Sequence, residues 1–455
     1  MINLRLKIFI ICFCFAPFLS TLVKANTPGQ EGSINVKSLG AKGDGKTDDY
    51  NAFIAVANYI NLHKGGTVFI PAGTYYIAEY HTDKSNVKDI LFKNCTNLTI
   101  KGDHAVISVN GNFFRNADHK GSKFWYSNTN AIIPLAFENC AHLTIQSLEI
   151  NGNVNQTTRN NDVAEGEGHL ISLLNCQDVK ISDVFVHHAE VDGIYIGGAL
   201  SSNFNFNNIK SYNNARQGMS ITWLRNGLFK NCRFANTGKS EGTYGFHAPA
   251  AGVDIECRKA TPAQRTSNLV FEQCFFTDNF GDQFACSAPQ DCSGVILKDC
   301  KISAQGSTSA RTMLLAADSV NLINCEIDCG VGSVYAGFNG VAGANVTIQH
   351  CIIKSSSSGV VSTPDAKGVD IVKITDNTFY YTGSARIKSY FIFIKNPNAV
   401  FLNNNVHIPS GTLKMVGPSA MVGNALKAQG NSFITDGGKK VSVSYEGTKD
   451  IQDKN

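Results

Sequence analysis

The feature that most constrains this chain is a repeat. From residue 98 onward one pattern recurs: apolar, any, apolar, two of any, a Cys or Asn, any, apolar. It runs through Leu228–Phe234 around Cys232, Leu269–Phe276 around Cys274, Val295–Ile302 around Cys300, Val320–Ile327 around Cys325 and Val346–Ile353 around Cys351. Asn takes the marker place in Val372–Phe379 (Asn377), Ala399–Val406 (Asn404) and Leu426–Phe433 (Asn431). From Cys274 the markers fall 26, 25, 26, 26, 27 and 27 residues apart, with weaker copies near Leu148, Val184 and Asn207. A fixed period built from short strands marks a solenoid. With no room for a helix in each repeat, the fold is all-β, a parallel β-helix of roughly 11–12 coils stacked about 4.8 Å apart.

Stacking puts the markers in a column. Cys is small and usually buried, and Asn amides can hydrogen-bond along such a column. Most cysteines therefore read as interior residues, including Cys95, Cys140 and Cys176, each of which follows an Asn within two residues. Cys286 with Cys292, and Cys325 with Cys329, are spaced to close small loops as candidate disulfides. No Cys/His spacing resembles a zinc site, and no resident metal is expected.

A solenoid needs its ends covered. Residues 47–63 supply a capping helix: Asp48 or Asp49 is a natural N-cap, and Phe53, Ile54, Val56, Ala57, Ile60 and Leu62 follow helical periodicity. Gly65-Gly66 ends it, and Thr67–Ile70 with Pro71-Ala72-Gly73 reads as strand and turn. The acid-rich stretch Gly43–Asp49 lacks the later bidentate Glu of a calcium loop, so helix capping explains it better.

Ahead of the cap, Arg5 and Lys7 precede an apolar run from Ile8 to Leu19 and then Val23-Lys24-Ala25. This layout predicts a signal peptide over 1–25 and a secreted protein, periplasmic or extracellular, without a membrane span after cleavage. The β-helix domain is expected over 33–435, with its N-terminal cap in 33–80, and a polar tail over 436–455. Removing Arg5, Lys7 and Lys24 brings the net charge of +4 close to neutrality, which gives no case for a nucleic-acid partner. Charged residues are only 17% while Gly numbers 41, a balance that favours turns over helices.

The cap carries a family resemblance. Gly40-Ala41-Lys42-Gly43-Asp44-Gly45-Lys46-Thr47-Asp48-Asp49, then the helix, then Gly65-Gly66-Thr67-Val68-Phe69-Ile70-Pro71-Ala72-Gly73-Thr74-Tyr75, resembles the opening of the pectate-lyase superfamily. The resemblance covers residues 33 to about 435. It implies a right-handed parallel β-helix and, as in most characterised members, a poly- or oligosaccharide substrate. Fold alone leaves the reaction open among hydrolase, lyase and epimerase.

The unusual residues concentrate between His187 and Cys286. Four segments begin alike, at Gly193, Gly218, Gly252 and Gly281. In the first three the apolar residues alternate, so one face is buried and the other is expected to be free. Extra residues within 108–131, 151–168 and 235–250 fall before Gly-led strands and predict a wall along that face. A shorter insertion falls around 258–267.

Asp254 and Glu256 are the sharpest pair there. As residues i and i+2 of a strand they share a face about 6.5–7 Å apart along the backbone, a separation that suits acid and base in glycoside cleavage. Asp192 and Arg216 are expected to assist, with Arg216 holding a carboxylate. Tyr195, Gln217, Trp223, His187, His188, His247 and Gln283 are candidate substrate contacts. Asp282 either joins them or caps a turn, the turn being slightly favoured.

Against the polygalacturonase branch, Val191-Asp192-Gly193-Ile194 resembles Asn-Thr-Asp-Gly, and Arg216–Ile221 resembles Gly-His-Gly with Gln217 for His. Phe280-Gly281-Asp282-Gln283 resembles Gly-Asp-Asp, though out of order and with one Asp missing. Arg386-Ile387-Lys388 matches the remaining motif in letters but four coils late. The expectation is therefore a distant relative: a secreted glycoside hydrolase using paired carboxylates and no cofactor. The alternatives are a uronic-acid lyase or epimerase and a non-catalytic glycan-binding β-helix. Under the lyase reading, Arg216 or a His is the base, and Asp192, Asp254, Glu256 and Asp282 gather a calcium ion.

Overall fold

A computed structural model describes residues 32–77, 89–109, 132–156, 168–239, 248–257, 265–337, 342–363, 367–383, 390–408, 420–423, 425–435, 443–444 and 451–452. The expected signal peptide, His247, Arg386–Lys388 and most of the four insertions lie outside these residues.

The chain winds as a right-handed parallel β-helix with three faces. One face is a sheet of thirteen short parallel strands, from Leu91–Lys93 to Val443–Ser444, called here the front sheet. It contains slightly more coils than the sequence period indicates, because the irregular coils before residue 190 also contribute strands. The other two faces form one continuous parallel sheet. In early coils a single long strand, such as Ala141–Asn151 or Gln177–His187, bends through both of these faces. In later coils it breaks in two, as in Ser202–Asn207 and Lys210–Tyr212.

The breaks fall where the backbone must enter the left-handed region, and Asn and Asp tolerate that conformation best. Asn208, Asn231, Asp299, Asn324, Asp376 and Asn403 all sit there with φ between 53° and 58°. Their side chains link successive coils, as Asn208 Nδ2 donates to Asp183 at 2.7 Å and Asn324 Nδ2 to Asp299 at 3.3 Å. The abundance of Asn is therefore a property of the corners.

Inside, residues at matching places stack coil upon coil. Phe229 and Phe271 are parallel at 4.5 Å, and Phe206, Phe234, Phe276 and Phe284 pack around them, all fully buried. Each buried ring contributes roughly 1.5–3 kcal/mol relative to exposure.

The marker column is present. Cys232, Cys274, Cys300, Cys325 and Cys351 are buried thiols, and each Sγ lies near the carbonyl of the residue two before it. Asn then takes over as a ladder. Asn377 Nδ2 donates to Asn404 Oδ1 at 3.0 Å, Asn404 Nδ2 to Asn431 Oδ1 at 3.1 Å, and each Oδ1 also accepts a backbone N–H. The two candidate disulfides do not form: Cys286, Cys292, Cys325 and Cys329 are all buried free thiols.

At the front end the helix Tyr50–His63 lays Phe53, Val56, Ala57 and Ile60 over the first coil. Asp48 Oδ1 accepts the Tyr50 N–H at 3.0 Å, while Asp49 reaches back to the N–H groups of Lys42 and Gly43. Capping and turn closure are thus divided between two adjacent acids. Asp44 accepts from the Thr47 and Lys46 backbones, which lowers its carboxyl to about 2. No helix among the described residues is long and apolar enough to cross a membrane.

Candidate functional site

The front sheet carries the site. Its strands Asp192–Gly197, Gln217–Ile221 and Val253–Ile255 are adjacent, with Asp192 opposite Gln217 and Tyr195, Ser220 and Asp254 in one outward column. Ile194, Ile196, Met219, Ile221, Val253 and Ile255 fill the core between them. The Gly residues before these strands permit close approach: a Cβ at Gly218 would collide with the carbonyl of Gly252, and one at Gly252 with that of Gln283.

The fourth Gly-led segment is displaced. Phe284 pairs with Val253, so Gln283, not Gly281, lies across from Gly252. Gln283 is fully buried, and its amide is taken up by Asn279: Oε1 accepts from Asn279 N and Nδ2, and Nε2 donates to Asn279 O. It braces the coil and faces no groove.

The outward face is also less free than alternation indicates. Asp192, Gln217 and Ser220 are fully buried, and Asp254 is 7% exposed.

Four charged groups and one amide form a continuous network there. Arg216 Nη1 lies 3.2 Å from both carboxylate oxygens of Asp192, and its Nη2 donates to Glu256 Oε1 at 3.0 Å. Gln217 Nε2 donates to Glu256 Oε1 at 3.0 Å and to Asp254 Oδ2 at 3.5 Å. Asp254 and Glu256 thus converge on one amide nitrogen.

Electrostatics divide the carboxylates. Burial works against ionisation of Asp192, but the Arg216 guanidinium and His169 outweigh it and hold the carboxyl below its ordinary range. For Asp254, burial and then repulsion from Glu256 push the carboxyl well above its ordinary range, with Arg216 opposing. Glu256 is 34% exposed at its side chain and opens the cluster to solvent. Asp282 is raised by burial against the pull of Arg311, which grips it through Nε at 2.8 and 3.0 Å and Nη2 at 2.7 Å. Asp282 is therefore an ion-pair partner, not a turn cap.

Arg311 and His169 were not evident as site residues in the sequence. His169 Nδ1 sits 3.2 Å from Asp192 Oδ2, off the line of a straight hydrogen bond, and its ring stacks on Tyr195 at 4.6 Å. Backbone bonds on both sides hold it there, from Val191 N to Gly168 O and from Leu170 N to Asp192 O. Both residues lead into strands without the Gly signature, which is why sequence pattern passes over them.

Tyr195 joins the cluster's edge, its hydroxyl 3.2 Å from Thr222 Oγ1, and Trp223 is half-buried one residue beyond. His187 and His188 belong elsewhere. They contact each other, Phe185, Glu149 and Asn213 along the neighbouring sheet, because His187 ends the strand that turns the corner before Asp192.

The acids expected to gather calcium under the lyase reading have other side-chain partners here. Asp192 and Asp282 are each held by a guanidinium, and Arg216 stands between Asp192 and Glu256. No cluster of three or more His, Cys, Asp or Glu among the described residues is arranged to hold a metal ion. Arg216, flanked by two carboxylates, is fixed as a cation and is badly placed to act as a base.

Comparisons with known proteins agree with this architecture. Residues 33–243 match the family described as rhamnogalacturonase A/epimerase, pectate lyase-like, and residues 244–406 match the right-handed β-helix region. The chain belongs to the pectin-lyase-like superfamily of right-handed β-helix proteins. An exopolygalacturonase of Arabidopsis thaliana is 25% identical over 193 residues, 36% of this chain and 40% of that one. Alginate lyase 7 of Azotobacter vinelandii is 50% identical over 44 residues, 10% of this chain and 5% of that one. The chain thus spans less than half the length of these curated relatives. Among solved structures, the Streptococcus pneumoniae surface adhesin PfbA superposes with a TM-score of 0.51 at 14% identity, covering 93% of this chain and all of that one.

Proposed function

We propose that this protein is a secreted polysaccharide-processing enzyme that hydrolyses glycosidic bonds, with Asp254 as the proton donor. The observation that carries the reading is the pairing of a buried Asp254, whose carboxyl is pushed well above its ordinary range, with the more exposed Glu256 just past the end of the same strand. Unpaired burial of a carboxyl costs several kcal/mol and is retained where chemistry needs it. A scaffold that only displayed a β-helix would have no use for it.

In the proposed reaction Asp254 gives its proton to the glycosidic oxygen as the bond from that oxygen to the anomeric carbon breaks. Glu256 takes a proton from the water whose oxygen bonds to that carbon. The pair must part around the bound sugar, and their backbone spacing of about 6.5–7 Å leaves room for that. Arg216 holds Glu256 in place, and Asp192, kept ionised by Arg216 and His169, fixes Arg216.

The match to an alginate lyase favours one second reading, elimination or epimerisation on uronic acids. Digestion of a glycan library with product masses separates the two. Products heavier by water support hydrolysis, unsaturated products absorbing in the ultraviolet support elimination, uronates of unchanged mass but inverted C5 in proton NMR support epimerisation, and a library unchanged by all three readouts contradicts both readings.

A further inference from the structure

Between Tyr195 and Asp254 in the outward column stands Ser220, in register with both. Met219 and Ile221 on either side fill the core, so the hydroxyl emerges on the face that carries the carboxylates. Ser220 is fully buried, and its Oγ has no hydrogen-bond partner among the described residues. A buried hydroxyl in that condition is rare in a folded protein. Packing alone does not explain it, because Ala would fill the same place with no polar atom to desolvate. The neighbouring hydroxyls are already engaged: Tyr195 Oη and Thr222 Oγ1 lie 3.2 Å apart, and Thr222 Oγ1 also donates to Ile196 O at 3.3 Å.

The group short of a donor is one strand further along. The Asp254 carboxyl is reached by Gln217 Nε2 at 3.5 Å, a long contact, and the same nitrogen lies closer to Glu256, at 3.0 Å. Ala285, which follows Asp254 in the column, has no side-chain donor. Ser220 is the residue the ladder places directly beneath this carboxyl, about 4.8 Å away between backbones. Rotation about its single χ1 swings Oγ among three staggered positions and brings a carboxylate across that gap within reach. The charged groups facing Asp254 are Glu256 beyond its own strand, Arg216 ahead of the strand below, and Asp282, itself held by Arg311, from the coil above. Ser220 is neutral, so replacing it alters no charge in the cluster.

We infer that Ser220 is a positioning residue for Asp254: its hydroxyl turns onto the carboxylate when Asp254 loses its proton and stabilises the charged form. The inference rests on the reading of Asp254 as proton donor and adds what receives that group after donation. In the proposed cleavage the proton of Asp254 passes to the glycosidic oxygen. Ser220 keeps its own proton and offers it only as a hydrogen bond. Without it the carboxylate left behind would sit buried, with a distant amide and a repelling Glu256. A hydrogen bond to an ionised oxygen is stronger than one to a neutral acid, so the hydroxyl acts chiefly on the charged state. It opposes the effect of burial without abolishing it, which lets Asp254 release its proton as well as hold it.

Infrared difference spectra between each protein and its Asp254→Asn counterpart isolate the carboxyl band of Asp254. That band is followed from about pH 4 to about pH 9 in the wild type, Ser220→Ala and Ser220→Thr. In Ser220→Ala its midpoint should rise by about one pH unit, and Ser220→Thr, which keeps the hydroxyl, should return it close to the wild type. On a glycan that the wild type cleaves, the alkaline limb of the kcat/KM profile should move with it. A midpoint unmoved or lowered in Ser220→Ala overturns the inference, and so does loss of that variant's circular dichroism, which would make the hydroxyl part of the framework. The band reports the proton and not the product, so the two readings separate. If no glycan yields product while the midpoint still follows the hydroxyl, the hydrolase reading fails and the hydrogen bond stands.

Discussion

Asp254, in the strand Val253–Ile255, and Glu256, just past its end, share an amide donor, Gln217 Nε2, at 3.5 and 3.0 Å. Burial and then repulsion from Glu256 push the Asp254 carboxyl well above its ordinary range, while Glu256 keeps its contact with Arg216. The proposed acid and base roles therefore follow from exposure, Asp254 being 7% exposed and the Glu256 side chain 34%.

Removing the proton donor should disable the reaction without unfolding the chain. Asp254→Asn is expected to lower kcat by about 10²–10⁴-fold, and Glu256→Gln similarly, with circular dichroism unchanged. Reducing-end assays on any glycan the wild type cleaves provide the measurement.

Stability should depend on pH through the same group. A carboxyl whose folded value lies above its unfolded one, near 3.8, binds more protons in the folded state, so wild-type stability falls as pH rises through that interval. Asp254→Asn lacks this dependence. Urea titrations of both proteins from pH 4 upward should show the variant gaining relative stability. Asp192 acts with the opposite sign: its contribution is present at neutral pH and is lost as pH falls below about 3.8 through its lowered value.

Arg216 is the electrostatic keystone. Arg216→Ala leaves the buried Asp192 with His169 alone beside it and is expected to cost about 3–5 kcal/mol in urea unfolding. Arg216→Lys should recover only part of this loss, because one ammonium cannot span Asp192 and Glu256 as the planar guanidinium does.

The Asn ladder makes a separate prediction about the scaffold. Asn404 accepts from both the backbone and the side chain of Asn377, and donates to Ile374 O and Asn431 Oδ1. Asn404→Ala orphans several buried groups at about 1–3 kcal/mol each, so a clear drop in melting temperature is expected. A change at an exposed side chain such as Lys373→Ala should leave the melt nearly unaltered.

How much of this was legible follows from what repeats. The β-helix, the marker column and the placement of Val253 and Ile255 inside with Asp254 outside are periodic properties, and period survives in sequence. Register across an irregular coil does not, which is why Gly281 misled and Gln283 proved to brace Asn279. The partners of charges were also hidden. Arg311 lies 29 residues from Asp282 and His169 lies 23 from Asp192, each brought alongside by one coil of winding. The two His residues at 187 and 188 looked close to Asp192 in sequence, yet the corner between them turns them onto another face.

The protonation state of Asp254 at working pH tests the central claim most directly. Infrared difference spectra between the wild type and Asp254→Asn at pH 6 should contain the carbonyl stretch of a protonated carboxylic acid, lost in the variant. A spectrum with no such band, and an ionised Asp254 carboxylate in its place, would contradict the account.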